Sequence, residues 1–389
     1  MEGGVTVIFD RRDYEILRLC GFCRYLPTGL DRKFAAPYFA ADAFASLREH
    51  GLIKQQSDGT SWKLTYDGRV ILAEMGHESA EDKRLDLKRP AYRRRLRNAL
   101  WNVMLFLAGI DVFHESAKSL AGMDTAYLSA LMLRTDNNQR MLAGTRFLGV
   151  LRLHDAAYVP YFLESEGDWI VPGYEREIFS AEISTMREVR ETRLLLAGNS
   201  LEELWRAVHP AHPSEPLPRG MRRFDRALEE LGCDFSLVPI SRNGVTQLSV
   251  MKLCRYRERL AEALGCSLQV PRQLSECDGI ADGVPHIIAI DFNVKWIVRA
   301  LRQIQQFDSD MIPKICCLPF QRSTMFKLLR WYGAQKAVVM AVDMQSICDV
   351  FPEIEQEPPK QTPYINKEGE YVSANTGKTA KMACEASAD

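Results

Sequence analysis

Apolar residues recur at helical spacing along the first part of the chain, which predicts a compact unit over residues 10–76. The spacing predicts four helices, over residues 11–25, 31–38, 41–50 and 66–75. Short apolar-polar stretches predict two strands, over residues 52–56 and 61–65. Asp58-Gly59 lies between these strands and is typical of a tight hairpin turn, because such a turn needs residues that tolerate positive φ. The first unit is therefore predicted as three helices, a two-stranded hairpin and a closing helix.

Two local motifs in this unit resemble those of bacterial winged helix-turn-helix domains. One motif, formed by Leu47, Gly51, Leu52 and Ile53, resembles the end of a recognition helix. The other, formed by Leu64, Thr65, Gly68 and Leu72, resembles the turn from strand to closing helix. The resemblance implies that the third helix enters the major groove of double-stranded DNA. It also implies that the hairpin contacts the phosphate backbone.

The polar residues of the third helix and the hairpin are the candidates for DNA contact. They are Ser46, Arg48, Lys54, Trp62 and Lys63. The third helix also carries two acidic residues, Asp42 and Glu49, which weaken its approach to phosphates. A winged helix that contacts only other proteins is therefore a second interpretation. For Trp62, packing on its own domain is the alternative to backbone contact.

Lysine and arginine are concentrated just after this unit. The candidates for DNA contact there are Lys83, Arg84, Lys88, Arg89, Arg93, Arg94, Arg95 and Arg97. Pro90 is typical of the first turn of a helix, and the apolar stretch that follows predicts one helix that runs to about Gly109. We interpret residues 80–118 as a basic connector helix, since clustered cations release counterions from DNA phosphates. The alternative is a solvated helix face that aids solubility.

Residues 119–352 are predicted to form an α/β domain. Predicted helices cover residues 126–133, 136–142, 175–190, 200–208, 294–307, 322–332 and 344–351. Predicted strands cover residues 146–153, 157–163, 169–172, 193–197, 286–291, 314–318 and 337–343. After Gly279 strands and helices alternate and the strands are apolar throughout, which indicates a parallel sheet buried on both faces. Residues 353–389 have almost no aliphatic side chains and predict a disordered tail.

Four carboxylates lie at predicted strand ends, and the carboxyl ends of strands are where open α/β sheets place their sites. They are Asp155, Glu164, Asp291 and Asp343. Carboxylates that converge there could hold Mg²⁺ for phosphodiester cleavage, whereas an Asp after a strand is also a common helix cap. Capping is the preferred interpretation. We therefore assign no catalytic residue, no metal ligand and no cofactor.

The composition excludes several classes of protein. The chain has 389 residues, 46% hydrophobic and 26% charged, with a net charge of −1, which is typical of a globular protein of two or three domains. Residues 1–100 carry 18 Lys and Arg against 14 Asp and Glu, so positive charge is concentrated near the start. We expect a cytoplasmic protein without membrane contact, because no signal peptide or membrane span is visible. Cys20 and Cys23 fit a helix core better than a metal site, since no second pair accompanies them.

The order of winged helix, connector and α/β body resembles the replication-relaxation family of bacterial plasmids and integrative conjugative elements. The local patterns that carry the resemblance are Arg146-Phe147-Leu148-Gly149-Val150, Tyr158-Val159-Pro160-Tyr161, and Asp155-Ala156 with Glu164. The family implies a restriction-endonuclease-like α/β domain and a role in plasmid replication and relaxation.

We therefore expect a protein of a mobile genetic element that binds double-stranded DNA during replication, relaxation or transfer. Its body is expected to form a homodimer or to recruit replication or conjugation proteins. One alternative is a transcriptional regulator whose body is a sensor or oligomerisation domain. Another is a metal-dependent nuclease accessory that uses Asp155, Glu164 and Asp291.

Overall fold

The structure is a computed structural model. It describes residues 11–77, 87, 90–113, 123–136, 146–164, 169–170, 191–210, 222–334, 336–354, 370–372 and 379–381. Helices and mixed sheets alternate along the chain, which confirms the predicted α/β class. The chain divides into two compact units, one of residues 1–104 with 359–389 and one of residues 105–358.

The first unit follows the predicted order of helices, hairpin and closing helix. Its elements are α1 (Arg11–Cys23), β1 (Leu26–Pro27), α2 (Leu30–Phe34), α3 (Ala41–Glu49), β2 (Ile53–Gln55), β3 (Ser61–Leu64) and α4 (Tyr66–Glu74). A 3-10 turn at Pro37–Phe39 replaces the second half of the helix predicted over 31–38, because Pro37 cannot continue a helix. The short strand β1 was not predicted and pairs with β3, so the hairpin forms a three-stranded sheet of order β1-β3-β2.

The turn from β3 to α4 depends on a helix cap and a small residue. Thr65 caps α4, since its Oγ1 accepts a hydrogen bond from the Gly68 amide at 3.1 Å and donates to the Gly51 carbonyl at 2.6 Å. A Cβ on Gly68 would lie 2.1 Å from the Leu52 carbonyl oxygen. The motif at this turn therefore has a packing function, with Leu72 buried beneath it.

Helix α5 (Pro90–Leu107) begins at the proline that the sequence indicates. Two large aromatic side chains on α5 are buried, Tyr92 and Trp101. Asn102 donates to the Cys23 sulfur at the end of α1 at 3.7 Å, so this part of the helix packs on the first unit. Of the predicted basic residues, Lys83, Arg84, Lys88 and Arg89 lie outside the described residues.

The second unit contains a five-stranded mixed sheet of order β10-β8-β6-β5-β4. Its strands are β4 (Thr125–Ser129), β5 (Gly149–Leu153), β6 (Ala156–Leu163), β8 (Glu191–Gly198) and β10 (Asp234–Pro239). The first three form antiparallel pairs, whereas β6, β8 and β10 run parallel. A separate pair joins β7 (Trp169–Ile170) to β9 (Arg222–Arg223).

A four-stranded sheet of order β11-β12-β13-β14 follows. Its strands are β11 (Gly279–Ala281), β12 (Val284–Ile288), β13 (Lys314–Cys317) and β14 (Val338–Ala341). The last three are parallel, as the alternation after Gly279 predicts, and β11 adds an antiparallel edge strand.

Helices surround these sheets. They are α6 (Ala130–Asp136), α7 (Leu201–Val208), α8 (Phe224–Leu231), α9 (Arg242–Met251), α10 (Tyr256–Ala263), α11 (Val294–Phe307), α12 (Arg322–Trp331) and α13 (Met344–Val350). Helix α11 lies against β10, and one apolar core includes Leu196 of the larger sheet, Ile287 of the smaller sheet and Ile297 of α11.

Several sequence predictions need correction. The helix predicted over 126–133 is wrong in its first half, which forms β4, because an apolar run cannot distinguish a buried helix from a strand before its pairing with β5 is known. Strand β10 and helices α8 to α10 were not predicted. The helix predicted over 175–190 lies outside the described residues, as does most of that over 136–142.

Part of the predicted tail has regular structure, since Glu353 and Ile354 lie in a 3-10 turn and six further residues form two strands. Strand β15 (Glu370–Val372) pairs with β16 (Thr379–Lys381) in an antiparallel arrangement. Within 353–389, residues 355–369, 373–378 and 382–389 lie outside the described residues. In the described part of the chain, no helix combines the length and apolar character that a bilayer crossing requires.

Candidate nucleic-acid interface

The exposed surface of α3 is formed by the residues that do not pack on α1. Ala43, Phe44 and Leu47 are buried, whereas Arg48 and Glu49 are exposed. Because the buried residues recur at helical spacing, they form one side of the helix, and Arg48 and Glu49 lie outside it.

Ser46 and Asp42, two polar residues of α3, bind neighbouring side chains of α1. The Ser46 hydroxyl donates to Asp13 at 2.8 Å, which ties α3 to α1. Arg12 donates to Asp42 at 3.0 Å and holds the pKa of that carboxyl below its usual range. Ser46 therefore has a structural partner, and the acidic charge of Asp42 is compensated. Arg48 stays available to a ligand.

The hairpin presents two lysines side by side. Lys54 of β2 lies directly opposite Lys63 of β3, while the neighbouring pair Ile53 and Leu64 is buried on the other face. Like charges directly opposite each other destabilise a sheet. A bound anion would remove this repulsion, so the pair forms a cationic site on the outer face of the hairpin.

Trp62 faces the interior side of the hairpin. It pairs with Gln55, on the same face as Leu64, and its ring stacks on Phe44 of α3 with centroids 5.3 Å apart and planes 11° apart. This contact fixes the hairpin against α3. Trp62 therefore packs on its own domain, which was the alternative interpretation from the sequence.

Helix α5 is attached to the hairpin through its first turn. The Tyr92 hydroxyl lies 2.8 Å from the Ser61 hydroxyl and 2.7 Å from that of Thr60, and the Tyr92 ring contacts Tyr25 edge to face. Arg93 and Arg94 follow directly and are exposed. Two exposed cations of the connector therefore follow directly after a residue that is bonded to the hairpin.

The remaining basic residues of α5 are placed differently. Arg95 and Arg97 are half-buried, in contrast to Arg93 and Arg94. From the predicted contact residues that the structure describes, we group Arg48, Lys54, Lys63, Arg93 and Arg94 and call them the basic face.

The buried thiols of the first unit are part of its core. Cys20 and Cys23 are buried and free, and burial raises the pKa of both, that of Cys23 to about 12. Raised pKa values keep both thiols protonated near neutral pH. The core interpretation of this motif is confirmed for the two residues.

The four carboxylates predicted at strand ends of the second unit do not all lie together. Asp155 precedes β6 and Glu164 follows it, so the eight-residue strand separates them by roughly 25–30 Å at about 3.3 Å per residue. Asp343 caps α13 by accepting from the Ser346 amide at 2.8 Å. Among the described residues no group of three or more His, Cys, Asp and Glu side chains could hold a metal ion. The preferred cap interpretation is confirmed for Asp343, whereas the metal-site alternative would require Asp155 and Glu164 to meet.

Asp291 is fully buried between two arginines. Its Oδ2 accepts from Arg257 at 2.6 Å and lies 3.7 Å from Arg193. Arg193 also donates to the Tyr158 hydroxyl at 3.2 Å, and the Arg257 guanidinium lies 3.7 Å from the centre of the Trp296 ring. Two guanidinium groups already compensate this carboxylate, which leaves no reason for it to attract a cation.

Sequence reasoning missed Arg193, Arg257 and Tyr92. The only local signal was a charged residue at the beginning of an apolar strand, in Arg193-Leu194-Leu195-Leu196. Two of its partners, Tyr158 and Asp291, are 35 and 98 residues away along the chain. A single sequence contains no information that pairs them.

Comparisons with protein-family models, with curated proteins and with solved structures found no match to this chain.

Proposed function

We propose that the first unit is a winged helix-turn-helix domain that binds double-stranded DNA through the basic face. The observation that carries the proposal is the arrangement of four cations, Lys54 opposite Lys63 and Arg93 beside Arg94, around one hairpin to which Tyr92 attaches α5. Phosphates spaced along a duplex are the polyanion that such a surface fits. No aromatic or apolar group of the hairpin has to leave the core for this contact.

In this proposal α3 is the recognition helix. Arg48 is exposed on it and presents a planar donor group that suits base edges or phosphates. Arg12 compensates Asp42, which reduces the acidic character that argued against groove entry. The interpretation as a protein-contact module rested on that acidic character.

We further propose that the protein serves replication, relaxation or transfer of a mobile genetic element. The order of a DNA-binding unit, a basic helix and an α/β unit supports this role, together with the resemblance of the local patterns to the replication-relaxation family. The second unit would form a homodimer or recruit replication or conjugation proteins. The nuclease alternative is disfavoured, since β6 separates Asp155 from Glu164 and two arginines already pair with Asp291.

The proposal is tested by duplex binding of the full chain across a salt series, measured by fluorescence anisotropy. A variant with Lys54→Ala and Lys63→Ala, and one with Arg93→Ala and Arg94→Ala, should each bind more weakly to all sequences. Each should also lower the slope of log affinity against log salt by about 0.9 per lost phosphate contact. Arg48→Ala should instead reduce the preference for one sequence over another.

Arg272→Ala, an exposed arginine of the second unit, is the matched control and should bind like the wild-type chain. Absence of duplex binding by the wild-type chain at low salt would contradict the proposal. It would support a protein-contact role for the first unit. Binding that none of the basic-face variants weakens would also contradict it.

A further inference from the structure

Large apolar side chains are exposed on and beside α12. Trp331 is 55% exposed, Phe326 45% and Tyr332 37%. A folded protein seldom leaves several aromatic rings in water on one element without a ligand for them. Phe326 lies among polar residues of the helix, since Arg322 and Arg330 precede and follow it by four positions.

The rings are held in place by a second helix. Trp331 contacts Trp205 of α7 edge to face at 6.5 Å and His209 at 5.2 Å. The Tyr332 hydroxyl lies 3.2 Å from His209 Nε2, and His209 stacks on Trp205 at 3.8 Å. Burial lowers the pKa of His209 to about 4, so the imidazole is neutral and the aromatic cluster carries no charge. Trp331 and Tyr332 therefore form a supported platform with Trp205 and His209, and Phe326 lies five residues before Trp331 on the same helix.

The sequence of α12 and its flanks is rich in positive charge. Residues 319–342 contain four cations and no Asp or Glu, and the cations are Arg322, Lys327, Arg330 and Lys336. Carboxylates from elsewhere compensate two of these cations. Glu202 accepts from Lys327 at 2.6 Å, and Asp310 lies 3.3 Å from Lys336.

Two further arginines of α12 lie next to these rings, in space or along the sequence. The Arg322 guanidinium lies 5.7 Å from the centre of the Phe326 ring, and Arg330 is exposed one residue before Trp331. Cations therefore alternate with exposed aromatic rings along one helix.

We infer that α12 binds single-stranded nucleic acid. Unpaired bases would stack on Phe326 and Trp331, while Arg322 and Arg330 would bind neighbouring phosphates. Stacking needs bases that are not already stacked in a duplex, so this surface differs in ligand from the basic face of the first unit. Every base has a π-face, so the binding should tolerate any sequence. The inference does not depend on the proposed duplex binding.

The test uses the full chain and a fluorescein-labelled oligothymidylate of about 20 nucleotides, which exceeds the usual site size of roughly 4–16 nucleotides. Anisotropy at low salt should show binding. Phe326→Ala and Trp331→Ala should each weaken binding about tenfold, as expected for the loss of one stacked base. Trp331→Phe should keep most of the affinity, because a ring remains. Arg330→Ala should lower the salt dependence.

Arg242→Ala, an exposed arginine at the start of α9, is the charge control, and Tyr66→Ala, an aromatic residue 71% exposed in the first unit, is the ring control. Phe326→Ala is the decisive variant, since Phe326 is exposed and its loss leaves the core intact. Absence of binding by the wild-type chain, or equal affinity of Phe326→Ala and wild type, would overturn the inference. Basic-face variants that lose duplex binding but keep oligothymidylate binding would separate the two surfaces.

Discussion

The Tyr92 hydroxyl in the first turn of α5 lies 2.8 Å from the buried Ser61 hydroxyl of β3. This contact joins the connector helix to the hairpin although 31 residues separate the two along the chain. It means that Arg93 and Arg94 are positioned by the same hairpin that carries Lys54 and Lys63. The two halves of the basic face therefore depend on one side chain.

Tyr92→Phe should lower the stability of the first unit by about 1–2 kcal/mol, because the Ser61 hydroxyl stays buried without this partner. It should also weaken duplex binding several-fold, since Arg93 and Arg94 lose their fixed position. Urea unfolding and anisotropy measure the two effects. Tyr66→Phe, at an exposed tyrosine, should change neither. A variant that loses stability but keeps full duplex affinity would separate Tyr92 from the basic face.

Gly68→Ala should destabilise the first unit by about 1–3 kcal/mol, because a Cβ there would lie 2.1 Å from the Leu52 carbonyl oxygen and α4 would have to move. Intrinsic helix propensity alone predicts that the substitution stabilises the unit, because alanine is more favourable in a helix than glycine. Val70→Ala, at a partly exposed position of the same helix, should cost less. Thermal unfolding of both variants measures the difference. An unchanged melting temperature for Gly68→Ala would contradict the packing argument.

Asp291→Ala should destabilise the second unit by about 3 kcal/mol, because it leaves Arg193 and Arg257 close together without their shared carboxylate. Glu191→Ala removes another carboxylate partner of Arg193, but Glu191 is exposed and the cost should be about 0–1 kcal/mol. Chemical denaturation compares the two variants directly. Equal losses would show that burial of Asp291 does not decide the strength of its ion pairs.

Asp278 should make the stability of the second unit depend on pH. Its Oδ2 accepts from the Ile288 amide at 2.6 Å, and burial raises the pKa of this carboxyl to about 7 although Arg257 and the amide act in the opposite direction. The folded chain keeps this proton up to about pH 7, whereas an unfolded Asp releases it near its usual pKa. Folding therefore takes up a proton between these values, and the stability from this group declines as the pH rises through that window.

Asp278→Asn keeps an acceptor for the Ile288 amide but cannot ionise. Relative to wild type, the variant should gain about 1 kcal/mol or more on going from pH 5 to pH 8. His77 titrates with the opposite sign, because burial lowers its pKa to about 4, but it contributes equally to both chains. Urea unfolding at the two pH values gives the difference, with exposed Asp310→Asn as control. Parallel pH profiles of wild type and Asp278→Asn would contradict this prediction.

The sequence by itself determined the features that depend on near neighbours. Helical spacing of apolar residues gave the bounds of α1, α3, α11 and α12 within a few residues, and Asp58-Gly59 marked the hairpin through its backbone preference. The alternation after Gly279 predicted the parallel strands β12 to β14, because such strands are apolar throughout. The basic residues of the connector and hairpin were also visible, since charge is read directly from composition.

Only the tertiary structure decided which distant residues meet. The residues Thr125–Ser129 form a strand because they pair with β5. Ser46 donates a hydrogen bond to Asp13 and is not a free polar group. The burial of Asp291 between Arg193 and Arg257 depends on the packing of a helix against strands far away in the chain. Such contacts gain their energy from three-dimensional proximity and leave no periodic signal along the sequence.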